Sequence, residues 1–368
     1  MQKGSIAAAA EARSTSRAEF QLSSSHVPAE TATERQLLEI WEGSLDVSGL
    51  GVADDYFELG GDSASAVPLF AEIELRFGHI MPLSSLLDCP TVRSLAARLD
   101  GLCEAAVRHP LVPMRTAGDR PPLFIVHGGG ASVMFVRSLL PWLGPDQPLF
   151  GIEARGLVDG EAPHASFEAM AADYLTAVRQ EQPAGPYYLG GYCIGALTAF
   201  EMARQLQNAG EKVAFVGLFD LNTHPNEAPW LYWRQPNRLR IRLLRQFILR
   251  VGQVRRQLRR LRGQRLAAPM SWPEASPEMR RRHERIFRAM LSAVASYHPG
   301  FFDGDITVFG SKERIGYLGD RKPGWSALAR RSKVTVIGDA HMDMFTGLLP
   351  VLGAELRRAL HQAQAGAP

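Results

Sequence analysis

The sequence predicts a small all-α helical bundle followed by a larger parallel α/β domain that carries a helical insertion. Three observations lead there. Residues 31–102 place apolar side chains at helical spacing and show no strand-like alternation. From residue 121 onward, short apolar runs alternate with helical segments. One of those runs, Tyr187-Tyr188-Leu189, leads into the turn Gly191-Tyr192-Cys193-Ile194-Gly195 and then a helix.

Composition sets the limits. A chain of 368 residues with 46% hydrophobic content is long enough for one modest and one larger domain, each with its own core. Lys plus Arg at 41 against Asp plus Glu at 38 leaves a formal charge of +3, too balanced to call for a nucleic-acid or membrane partner. Cys89, Cys103 and Cys193 are an odd number at wide spacing, which makes neither a disulfide framework nor a metal cluster. A reducing, cytoplasmic setting without a bound metal is expected. The apolar stretch Ile6–Ala10 is cut off by Glu11, too short for a signal-peptide core or a membrane span.

Residues 1–30, rich in Ala, Ser, Thr and Glu, are assigned to a linker. The helical domain occupies 31–102. Its first helix carries Leu37, Leu38, Ile40, Trp41 and Leu45 on one face. A loop follows, Asp54 to Gly61, pinned by Phe57 and Leu59. The second helix is expected to start at Ser63 and to bury Val67, Leu69, Phe70, Ile73 and Leu75 before Gly78 ends it. The third spans Val92 to Leu99. Ser63 therefore stands at a helix N-terminus, with two readings: an N-cap, or a hydroxyl exposed for modification with a phosphate group favoured by the helix dipole.

Residues 103–120, broken by Pro110 and Gly118 and followed by Pro121-Pro122, read as a second linker. The α/β domain is assigned to 121–366. Strands are expected at 123–126, 149–152, 187–189, 213–219, 306–309 and 334–337, with a helix from Ala196 to Gln207 behind the glycine turn.

That turn is where chemistry is expected. A strained strand-turn-helix with flanking glycines exposes a nucleophile, here Cys193, whose thiolate a helix N-terminus and an imidazole would favour. The acid and base should follow in chain order. Asp220 closes the strand 213–219 and His341 follows the last strand, so Cys193, Asp220 and His341 form the expected set. His224, Asp339 and His127 are rivals of lower rank; His127, in His127-Gly128-Gly129-Gly130, is assigned to the loop that binds an oxyanion. The amides of Ile194, Gly129 and Gly130 are the expected donors.

The stretch Asp55-Tyr56-Phe57-Glu58-Leu59-Gly60-Gly61-Asp62-Ser63 resembles the peptidyl carrier domains of nonribosomal peptide synthetases. The resemblance implies that Ser63 receives 4'-phosphopantetheine from coenzyme A through a phosphopantetheinyl transferase. Ala64 departs from the larger apolar residue common there. From Pro121 almost to the end, the chain resembles the C-terminal thioesterase domains of such synthetases, α/β hydrolases that release a finished chain. Most of those have serine in the turn, so Cys193 is a departure. What the pair implies is a release module: an acyl or peptidyl group passes from the pantetheine thiol to Cys193 and leaves by cyclisation (macrocycle, lactam or β-lactone) or by hydrolysis. Upstream synthetase domains or proteins would load the carrier. Hydrolytic proofreading of misloaded carriers and a non-catalytic acyl-carrier docking module are the alternatives.

The insertion, about 225–300, is expected to form a lid. Its segment Asn237 to Arg265 spaces Leu244, Phe247, Val251, Val254, Leu258 and Leu261 for one helical face and sets Arg255, Arg256 and Arg259 among many arginines. A solvated charged face and a dock for the acidic carrier, which bears Glu34, Glu39, Asp54, Asp55 and Glu58, both fit that pattern.

Overall fold

The computed structural model describes residues 15–102, 110–157, 160–221, 275–312, 325, 328–341, 344–345 and 347–366. The chain divides into two compact units, Met1–Ala105 and Ala106–Pro368.

In the first unit, α1 (Ala32–Leu45) starts at a capping box: the Glu34 amide donates to Thr31 Oγ1 at 3.0 Å and the Thr31 amide to Glu34 Oε2 at 3.1 Å. Helices α2 (Ala66–Phe77), α3 (Ser85–Asp88) and α4 (Val92–Leu99) complete the bundle. Leu37, Trp41, Leu69, Ile73 and Leu95 are fully buried between them. Two expectations change here. Helix α2 begins at Ala66 rather than Ser63, because Asp62 turns the chain first, and Leu75 points outward, 76% exposed.

The linker assigned to residues 1–30 does not hold for the part that is described. Strand β1 (Thr15–Ser16) pairs in parallel with β2 (Val47–Ser48), and the Val52 amide donates to Val27 O at 2.8 Å. The anchor is an ion pair. Arg17 donates through Nε and one terminal nitrogen to the two Asp54 oxygens, each at 2.7 Å. Asp54 also accepts from Ser24 Oγ and the Gly51 amide, both at 2.8 Å. A polar composition hid this segment because one charge pair, not an apolar stripe, docks it.

The second unit is a seven-stranded sheet in the order β3-β5-β4-β6-β7-β8-β9. Its strands are β3 (Leu111–Arg115), β4 (Leu123–Val126), β5 (Leu149–Ile152), β6 (Tyr187–Tyr192), β7 (Val213–Phe219), β8 (Phe302–Gly310) and β9 (Ala329–Val336). All neighbours are parallel except β3, which lies antiparallel on β5 at the edge. The linker assigned to 103–120 therefore contains a strand; Pro113 obscured it, and an edge is where a sheet tolerates proline.

Successive strand residues feed opposite layers. Phe124 and Val126 join Phe167, Met170, Tyr174, Phe200 and Ile286 from α6 (Phe167–Glu181), α7 (Gly195–Asn208) and α8 (Pro277–Ser296). Leu123 and Ile125 join Leu143, Leu352 and Leu356 from α5 (Leu140–Leu143) and α9 (Leu349–Ala365). Both faces are thus dry, the condition under which a parallel sheet persists, and the architecture is that of an α/β hydrolase. Helix α8 falls in the stretch assigned to the lid and packs into the core through Met279, Ile286 and Met290. The arginine-rich segment 237–265 and His224 lie outside the described residues.

Candidate active site

Cys193 sits between the end of β6 and the start of α7 with φ +54°, a left-handed conformation that costs an L-residue about 1–2 kcal/mol. The neighbours explain how it is held. The Cys193 amide donates to Phe219 O at 2.7 Å. A Cβ on Gly191 would lie 2.2 Å from Gly195 O, and one on Gly195 would lie 1.9 Å from His127 O. Both flanking glycines are therefore required by close backbone approach. The thiol is left partly exposed at the N-terminal end of the 14-residue α7, whose dipole favours a thiolate.

The strand order brings the acid alongside. Asp220 follows β7, and its amide donates to Phe309 O of β8 at 2.7 Å. Its buried carboxylate accepts from the Ser311 amide at 2.6 Å and from Ser311 Oγ at 3.3 Å. His341 Nδ1 donates to Asp220 Oδ2, which fixes the tautomer and leaves the Nε2 lone pair directed away from the acid. His341 stands in the loop after β9, tied back by the Ile337 amide to Gly310 O at 2.8 Å and the Lys312 amide to Gly338 O at 3.0 Å.

Two rivals are accounted for. His127 is fully buried, its Nδ1 donating to Gly128 O at 2.7 Å and its Nε2 accepting from Tyr174 Oη at 3.0 Å. Burial pushes its pKa down to about 4, which keeps the ring neutral beside the glycine loop. Asp339 points outward and pairs with Lys312 Nζ at 2.8 Å. In that glycine loop, the Ala131 amide donates to Gly128 O and the Ser132 amide to Gly130 O, while the amides of Gly129, Gly130 and Ile194 have no acceptor among the described residues.

Sequence reasoning missed two neighbours. Ser311 carries no motif, and its role follows only from β8 lying beside β7. Tyr192, the unconstrained letter of the glycine turn, stacks on the His341 ring with centroids 5.0 Å apart and planes 15° from parallel. Among the described residues, no group of three or more His, Cys, Asp or Glu is arranged to hold a metal, and no helix is long and apolar enough to cross a membrane.

In the first unit, Ser63 lies in the turn ahead of α2. Asp62 Oδ1 accepts from the amides of Ala64 and Ser65, both at 2.9 Å, and closes a turn ahead of α2, whose N-cap position is Ser65 rather than Ser63. Ser63 is partly exposed, and its hydroxyl has no hydrogen-bond partner among the described residues. Beneath it, buried Tyr56 donates to Asp62 O at 3.1 Å and bonds Ser65 Oγ at 2.8 Å. Gly61 passes so close that a Cβ would lie 2.5 Å from that ring.

Residues 121–356 match the model of the thioesterase domain, and residues 35–99 match that of the phosphopantetheine attachment site. The chain belongs to the thioesterase family. Ahead of that domain it carries a phosphopantetheine attachment domain, the carrier-thioesterase order of nonribosomal peptide synthetases. A dimodular nonribosomal peptide synthase of Bacillus subtilis is 37% identical over 196 residues, 53% of this chain and 8% of that protein. Aspulvinone E synthetase of Aspergillus terreus is 38% identical over 52% of this chain and 21% of its own length. Indigoidine synthase of Streptomyces lavendulae is 39% identical over 50% of this chain and 14% of its own length. The chain thus spans a minor part of these relatives. The crystal structure of a holo four-domain nonribosomal peptide synthetase bound to AMP and glycine overlays 95% of this chain with a TM-score of 0.55 at 23% identity, a likeness of fold.

Proposed function

We propose that the thioesterase domain releases an acyl or peptidyl chain delivered by the carrier, with Ser63 as the attachment point, Cys193 as nucleophile, His341 as base and Asp220 as its orienting acid. The observation that carries the reading is the placement of three residues after strands of one sheet, Cys193 after β6, Asp220 after β7 and His341 after β9, with the His341-Asp220 hydrogen bond made.

The partly exposed, unengaged Ser63 hydroxyl suits a phosphodiester link, and 4'-phosphopantetheine attached there would supply a terminal thiol that holds the acyl group as a thioester. A phosphopantetheinyl transferase using coenzyme A would install the arm, and synthetase domains elsewhere would load it. His341 Nε2 takes the Cys193 proton; the thiolate attacks the thioester carbonyl; the leaving thiolate takes the proton back from the imidazolium. The amides of Ile194, Gly129 and Gly130 would hold the oxyanion of the tetrahedral intermediate. In the second half, an amine, a hydroxyl or water gives its proton to Nε2 and attacks the Cys193 thioester; the C–S bond breaks, and the departing Cys193 thiolate takes the proton back from the imidazolium.

A cysteine keeps the acyl group activated, where a serine would store it as a less reactive oxoester. This favours a weak internal nucleophile and a strained product, a β-lactone or lactam, over plain hydrolysis.

The test loads the full chain with acyl-pantetheine and follows Ser63 and Cys193 adducts and products by mass spectrometry. Cys193→Ala should retain the acyl group on the carrier and lose release by about 10⁴-fold or more. Ser63→Ala should take no pantetheine mass yet still form acyl-Cys193 from a soluble acyl-pantetheine thioester. Free acids alone from many acyl groups would replace this reading with proofreading, and no adduct at Cys193 would end it.

A further inference from the structure

We infer that Tyr192 is a positioning residue that holds the His341 imidazole in register while Cys193 is acylated; the inference rests on the assignment of Cys193 and His341 above. Its hydroxyl lies 3.2 Å from His341 Nε2 and 3.4 Å from the His341 carbonyl oxygen, and its ring stacks on the imidazole. The tyrosine is itself wedged. Phe135 and Phe345 flank it at 5.2 and 4.7 Å, and Gly128 leaves room that a Cβ, 2.8 Å from the ring, would take. Tyr192 is also the last residue of β6, paired with Phe219, so the strand that presents the nucleophile also presents the clamp on the base.

The need for a clamp arises between the two halves of the reaction. Before transfer, on the assignment above, the thiol has a proton to give to the imidazole. Once sulfur carries an acyl group it has neither a proton to give nor a charge to attract Nε2. The Asp220 bond at Nδ1 remains, but it acts on the far side of the ring from the nitrogen that must stay aimed at the acyl group. A flat aromatic face restrains the ring, and a hydroxyl can donate to neutral Nε2 or accept from its protonated form. Packing alone would not aim the hydroxyl at the one ring nitrogen that must receive the incoming nucleophile's proton.

Among the described residues, the charged and titratable groups near the imidazole include Asp220 at Nδ1, Tyr192 at Nε2, Cys193 next along the chain from Tyr192, and Asp339 on its own loop, paired outward with Lys312 of the segment after β8. Deleting the hydroxyl removes a partner of Nε2, so the pH at which His341 gains its proton should shift.

Tyr192→Phe keeps the stack and deletes the hydroxyl. In the full chain, acylation of Cys193 should stay within about 3-fold of the parent, while decay of the Cys193 adduct slows by about 10-fold, the effect of one hydrogen bond. The pH midpoint of that decay should shift. A second arm needs no substrate: in Cys193→Ala, which also lacks a thiolate partner, the histidine NMR titration of His341 should shift by about half a unit to one unit when Tyr192→Phe is added. Equal loss in both half-reactions, or an unmoved midpoint in both arms, overturns the inference. A parent chain that forms no Cys193 adduct overturns the assignment of the nucleophile instead, and the titration still decides the role of Tyr192.

Discussion

Asp220 shows how the site is set residue by residue. Its φ of +46° swings the side chain out of line with β7, and two bonds from Ser311 hold the carboxylate where His341 Nδ1 meets it. Asp220→Asn preserves the size of the side chain but offers an amide where an acceptor is required, favouring the wrong imidazole tautomer. Release should fall by at least about 10²-fold with the melting temperature little changed, checked by single-turnover acyl transfer and calorimetry. The residues at the turn and at strand ends were legible because chain order and glycine spacing are local facts. Ser311 and the Tyr192 stack were not, since each depends on partners 91 and 149 residues away in the chain. Asp62 against Ser63 is a finer case: which of two adjacent polar residues bonds the amides of the turn ahead of α2 shows only in the structure.

At the level of elements, β3 and the segment 15–30 were misassigned as linker for opposite reasons. Strand β3 holds only five residues, one of them proline, and shows no alternation. The segment 15–30 lacks an apolar stripe and is held through Arg17 and Asp54. Burial alone would raise the Asp54 pKa, but Arg17, the Gly51 amide and Ser24 outweigh it and hold the carboxyl below its usual range. A carboxyl lowered in the folded state adds stability that is fully present above the unfolded value and is lost as pH falls through the folded one. Arg17→Ala should therefore destabilise the first unit by about 1–3 kcal/mol at neutral pH, with the gap from the parent narrowing below about pH 4. Amide exchange at Val52, bonded to Val27, reads the change directly, and unchanged exchange at pH 7 would show that the pair does not hold the segment.

At the level of the whole molecule, two units and a near-neutral balance of charge hide a strong local asymmetry: arginines crowd 237–265 while the carrier is acidic. Reversing Arg255, Arg256 and Arg259 to Glu should slow carrier-to-Cys193 transfer by about 10-fold at low salt. The difference should close near 1 M salt, where screening acts over about 3 Å. Unaltered transfer at low salt would return these arginines to a solvated face. The sheet adds a consequence of its own. Phe219 and Phe309 pair side by side although residues 220–301 run between their strands, and α8 within that stretch returns Ile286 and Met290 to the core. The pairing that positions Asp220 thus joins strands far apart in the chain, and part of the intervening length closes the core over them.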